Sequence, residues 1–93
     1  MKPTLYLDIF LDIQMKLLVR NIDRSITEAE LSELFEAYGS VQSCNLVMDQ
    51  ESGSSKGFGF VEMPKSGEAK AAMKSLNNQV LGNSILRVKK ADS

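Results

Sequence analysis

The 93-residue chain contains no histidine and a single cysteine, Cys44. Without imidazole, histidine-based catalytic triads and most general acid–base arrangements are excluded. One thiol and no imidazole also remove nearly every zinc or transition-metal site, so neither a metal nor a cofactor is expected. A lone cysteine cannot close a disulfide within the chain, which fits a reducing compartment. Carboxylates are present, but no pair is set apart by its spacing, and the chain reads as a protein that is not an enzyme. No run of about eighteen apolar residues occurs, so no membrane span is expected. Asp8 and Asp12 interrupt the apolar N-terminal stretch and do not suit a signal-peptide core. A charge excess is missing too. The formal net charge is −1, which argues against strong nonspecific binding to phosphates while leaving room for a local basic patch.

What is present is the composition of one small globular domain. Residues 1–14 stand apart from it. Leu5, Leu7, Ile9, Leu11 and Ile13 alternate with Tyr6, Asp8, Phe10 and Asp12, a period of two that belongs to a strand. Two arrangements fit this extension: an added strand, on this sheet or on that of a second copy, or a disordered lead-in. The chain is accordingly expected to be a monomer, or a dimer through residues 5–13.

The domain proper is expected over residues 15–93. Residues 16–20 form a short apolar strand. Thr27 and Glu30 then make a capping box, and Ala29, Leu31, Leu34, Phe35 and Tyr38 follow at helical spacing, with Gly39 placed for a left-handed C-terminal cap. A second strand is predicted over 41–48, a polar turn over 49–55 and a third strand over 57–63, ended by Pro64. Ser66 is placed to cap a second helix whose apolar face is Ala69, Ala72, Met73 and Leu76. Breaks at Asn77-Asn78 and Gly82-Asn83 precede a last strand over 85–89. The order βαββαβ predicts an α+β, ferredoxin-like split βαβ fold: a four-stranded antiparallel sheet with two helices on one face. The other face is left uncovered.

Strand alternation divides the third strand in two. Gly59, Val61 and Met63 would face the helices; Phe58, Phe60 and Glu62 would face the open side. Two phenylalanines on an open sheet offer stacking surfaces, each base stacked on a ring contributing roughly 1–3 kcal/mol. Gly57 and Gly59, lacking side chains, are expected to let a base approach the rings. Arg20, Arg87 and Lys89 would share that face, with Lys56 entering beside them and Lys90 following. The first helix instead carries Glu28, Glu30, Glu33 and Glu36, read as a solvated face. Cys44 is expected to pack as a small core hydrophobe. Residues 1–14 hold Lys2, Asp8 and Asp12, so the remainder keeps ten of the eleven Lys and Arg and ten of the twelve Asp and Glu. The domain is not basic, and only a few phosphate contacts are expected.

Lys56-Gly57-Phe58-Gly59-Phe60-Val61-Glu62-Met63 resembles the octamer signature of the RNA recognition motif, with Met63 where an aromatic is usual. The family's companion hexamer would fall on Leu17-Leu18-Val19-Arg20-Asn21-Ile22, with Leu18 in place of the usual aromatic. The resemblance runs from residue 15 to about residue 91. It implies single-stranded RNA, and by extension single-stranded DNA, as the partner. Phe58 and Phe60 would stack bases and Leu18 would add a smaller apolar contact. Arg20, Lys56, Arg87 and Lys89 would hold phosphates or base edges, and Asn45 would hydrogen-bond a base. A protein-interaction module on the same fold is the alternative, favoured by the missing ring at Leu18 and the low net charge. The chain also resembles the small single-domain RNA-binding proteins of bacteria, from which a cytoplasmic location is expected.

Overall fold

The computed structural model describes residues 15–91; the expectations for residues 1–14, including a dimer through 5–13, lie outside the described residues. The elements are β1 (Met15–Arg20), α1 (Glu28–Glu36), β2 (Ser43–Met48), β3 (Ser55–Met63), α2 (Ser66–Leu76), β4 (Val80–Leu81), β5 (Ser84–Ile85) and β6 (Arg87–Lys90). Four strands form an antiparallel sheet in the order β2-β3-β1-β6, and β4 and β5 pair as a separate hairpin. This is the expected α+β plan, with one element pair more than the sequence reading supplied.

Burial follows the alternation. Leu17 and Val19 of β1, Val61 and Met63 of β3, and Leu86 and Val88 around the start of β6 point to one side. There they meet Leu31 and Phe35 of α1 and Ala69, Ala72 and Leu76 of α2 in one core. The small alanines of α2 permit close approach of helix and sheet, while Phe35 fills the space beside α1. Cys44 and Met73 pack on this core, half-buried.

The start of α1 is capped as predicted. The Glu30 amide donates to Thr27 Oγ1 at 3.2 Å, and the Thr27 amide donates to Glu30 Oε1 at 2.8 Å. Ala29, expected on the apolar face, is exposed. The end differs as well. Glu36 is the last helical residue and Ala37 the C-cap, in right-handed helical backbone. Gly39 is needed for room instead: a Cβ there would overlap the Glu68 carboxylate, which accepts from the Ser40 amide at 2.9 Å. The cap of α2 also departs from expectation. Ser66 is already helical, and the N-cap is Lys65, with no side-chain hydrogen bond.

The β4–β5 hairpin replaces the first part of the expected last strand. Gly82 takes a left-handed φ of 65°, and Val80 pairs with Ile85. Ile85 is therefore outside the sheet and exposed. Asp23, in the turn after β1, ties the hairpin down, accepting from the Asn83 amide at 2.8 Å and from the Ser25 amide at 2.9 Å. These bonds stabilise the carboxylate form and hold the Asp23 pKa below its ordinary value.

Candidate nucleic-acid interface

Both helices pack on the same side of the sheet, so the opposite face stands open among the described residues. Register assembles its side chains into rows. One row runs Asn45, Phe60, Leu18, Lys89 across all four strands, and the next runs Phe58, Arg20, Arg87. Seven of the residues singled out in the sequence are thus contiguous. The eighth, Lys56, is exposed at the entry to β3. With Phe58, Arg20 and Leu18 it lines an open groove of about 850 Å³.

The rings are not parallel. The Phe58 and Phe60 centroids lie 6.4 Å apart with planes inclined at 85°, the edge-to-face arrangement that the ring quadrupoles favour. Two parallel bases cannot lie flat on both rings in this geometry. One ring offers its face and the other its edge. Phe60 offers a face, because the Lys16 ammonium sits over it, 4.8 Å from the centroid, within cation–π range.

Lys16 is a residue that the sequence reading missed. It shares the parity of Leu18 and Arg20 on the same strand, so the signal was present. Lys90, counted among the cations of this surface, is a correction. It pairs with Leu17, an inward residue, and so belongs to the other face. Arg24, which lines the groove beside Lys56 and Phe58, was also missed; it lies in a turn, where alternation gives no direction.

The glycines act differently from the expectation. A Cβ on Gly59 would lie 2.5 Å from the Asn45 carbonyl oxygen, so this position is bare to admit the β2 backbone. Gly57 takes φ 84°, where β3 departs from regular pairing: Leu46 is opposite Gly59 but Met48 is opposite Ser55. Its carbonyl accepts from the Ile22 amide at 2.8 Å. Both glycines shape the strand that carries the rings rather than clearing space above them.

The acidic groups of α1 lie on the helical side. Glu28, expected to be merely solvated, accepts from the Leu46 amide at 2.8 Å and so covers an edge of β2. Burial, with Glu28 and Glu36 nearby, pushes the Cys44 thiol up to about 11. On the open face, Glu62 accepts from the Ser43 hydroxyl at 2.7 Å. Among the described residues, no three His, Cys, Asp or Glu side chains are grouped to hold a metal ion.

Comparison with known proteins identifies the family to which this fold belongs. The sequence profile of the RNA recognition motif matches residues 17–87. A putative RNA-binding protein, RbpE, of the cyanobacterium Nostoc is 39% identical over 77 residues, covering 83% of this chain and 78% of RbpE. Polyadenylate-binding protein 5 of Arabidopsis thaliana is 40% identical over 72 residues, 77% of this chain. The chain spans only 10% of that relative and 14% of the human poly(U)-binding-splicing factor PUF60, which is 34% identical. Among solved structures, the RNA-binding protein PG1 superposes with a TM-score of 0.80 at 38% identity, covering 83% of this chain and 93% of its own. The Sxl-lethal protein in complex with RNA superposes with a TM-score of 0.82 at 34% identity, covering 90% and 50%.

Proposed function

The chain belongs to the RNA recognition motif family, and on that premise we propose that its open sheet face binds single-stranded RNA. The observation that carries this reading is the pair Phe58 and Phe60, side by side on a sheet face that stands open among the described residues and flanked by Arg20, Lys56, Arg87 and Lys89. A base can lay its face on a protein ring only when it is free of a duplex, so single strands fit and duplexes do not. Phe60 gives a base its face, Phe58 packs its ring against the neighbouring base or sugar, and Leu18 extends the apolar floor. The four cations hold phosphates or base edges, and Asn45 offers an amide at the β2 end of the row. The solved complex of the Sxl-lethal protein with RNA supports the reading by likeness.

The reading makes a weak binder. Leu18 stands where a third ring would be, and the domain carries no excess positive charge. Titration of the full chain with short single-stranded RNA, followed by amide NMR shifts, tests it. Shifts are expected on β1 and β3 around Leu18, Phe58 and Phe60; shifts confined to the helices, or none, overturn it. The double variant Phe58→Ala, Phe60→Ala is expected to lose several kcal/mol of binding, at about 1–3 kcal/mol per stacked base. Unchanged affinity in that variant would leave the alternative, a protein-binding module. That reading is favoured by the exposed apolar pair Val80 and Ile85 on the hairpin.

A further inference from the structure

Resting on the reading of the sheet face as an RNA site, we propose that the base stacked on Phe60 is guanine, selected by Glu62 and Lys16. Neither residue is used by the stacking scheme. Lys16 and Glu62 are direct partners across β1 and β3, and Ser43 is the partner of Glu62 on β2. All three lie one step along the same face from the row that carries Phe60. The Ser43 hydroxyl donates to Glu62 Oε1 at 2.7 Å, which fixes the carboxylate at the end of the platform. The Lys16 ammonium already stands over the Phe60 ring.

A base arriving on Phe60 competes with that ammonium for the ring and covers a half-buried carboxylate. A covered carboxylate must find donors or the complex loses the energy of its hydration. It accepts only, through two oxygens with about four lone-pair sites, so one bond to Ser43 leaves both oxygens able to accept more. The Watson–Crick edge of guanine carries two adjacent donors, N1–H and the N2 amino group, which match the two oxygens side by side. Its O6 lies next to N1 and accepts from the displaced Lys16. Uracil offers one donor between two carbonyls. Adenine and cytosine each offer one amino group beside a ring nitrogen that accepts, and that nitrogen would be set against the carboxylate. Guanine therefore gains one charge-assisted hydrogen bond and avoids one repulsion.

Four RNAs of sequence UUNUU, with N as A, C, G or U, titrated into the full chain and followed at the amides of Phe60, Glu62 and Ser43, test the assignment. UUGUU is expected to bind about tenfold tighter than UUUUU. The isosteric Glu62→Gln is expected to bring that ratio to near one, whereas Glu36→Gln, on α1 behind the sheet, keeps it. Equal binding of all four, or a preference for cytosine or adenine, overturns the guanine assignment while the RNA reading stands. A guanine preference that Glu62→Gln leaves intact also overturns it. Sheet amides that move with none of the four overturn both readings together.

Discussion

Single side chains decide what the open face can touch, and here the sequence was partly legible. Phe58, Phe60, Arg20, Arg87 and Lys89 followed from alternation, because a period of two fixes the face a regular strand residue takes, while Leu18 and Asn45 came with the family resemblance. Ring orientation did not follow. The 85° between Phe58 and Phe60 is set by neighbouring side chains and has no signature in residue order. The placement of Lys16 over Phe60 was half legible: its face could be deduced, its ring contact could not. Cys44 gives a prediction at this scale. Its raised thiol pKa exceeds the value of about 8.5 for an unperturbed cysteine, so the folded state holds the proton more tightly. The resulting stabilisation is fully present below about pH 8.5 and is lost as the pH rises through about 11. At pH 8 the folded chain should carry on the order of a hundredfold less thiolate than the urea-unfolded chain. Iodoacetamide should modify the folded form correspondingly slowly. Equal rates in both states would contradict the burial that raises the pKa.

Elements were legible where a periodic pattern was long and lost where they were set by a neighbour. The capping box at Thr27 and Glu30 is local chemistry and was read correctly. Gly39 and Gly59 were read as local devices, yet each is bare because of something distant in sequence, the Glu68 carboxylate in one case and the β2 backbone in the other. The β4–β5 hairpin was missed although its signal was available. Gly82-Asn83 lies between Val80-Leu81 and Ser84-Ile85, a two-residue Gly-Asn turn of the kind that joins hairpin strands, but two-residue strands are too brief for periodicity to announce. Gly59→Ala is expected to force β2 and β3 apart and destabilise the fold by about 1–3 kcal/mol, as other over-packed sites do. A urea midpoint unchanged from that of the parent chain would show that β2 can shift at no cost. The variant should also weaken RNA binding, since β3 carries both rings.

Across the whole molecule, charge is divided by face rather than in total. The helical side carries Glu28, Glu30, Glu33 and Glu36 beside Lys70, Lys74 and Lys90, and the sheet side carries Lys16, Arg20, Lys56, Arg87 and Lys89 against Glu62. Net charge alone would have discouraged a nucleic-acid reading; its distribution is what revives it. With roughly three phosphate contacts on a single strand, log affinity should fall against log salt with a slope of about −2. A slope near zero between 50 and 200 mM salt would remove the phosphates from the scheme, leaving stacking alone. The strand order has a different consequence. β1 is central, and its two neighbours are β3 and β6, so β1, made before the other three strands of this sheet, lacks one neighbour until β6 is made. Leu17 waits for Lys90. A nascent chain halted at residue 83 therefore holds β1 with one edge unpaired and Val88 missing from the core. Such a chain should be cut readily by protease, whereas one extended past residue 91 should resist. Synthesis of this domain thus ends, rather than begins, with the commitment to fold.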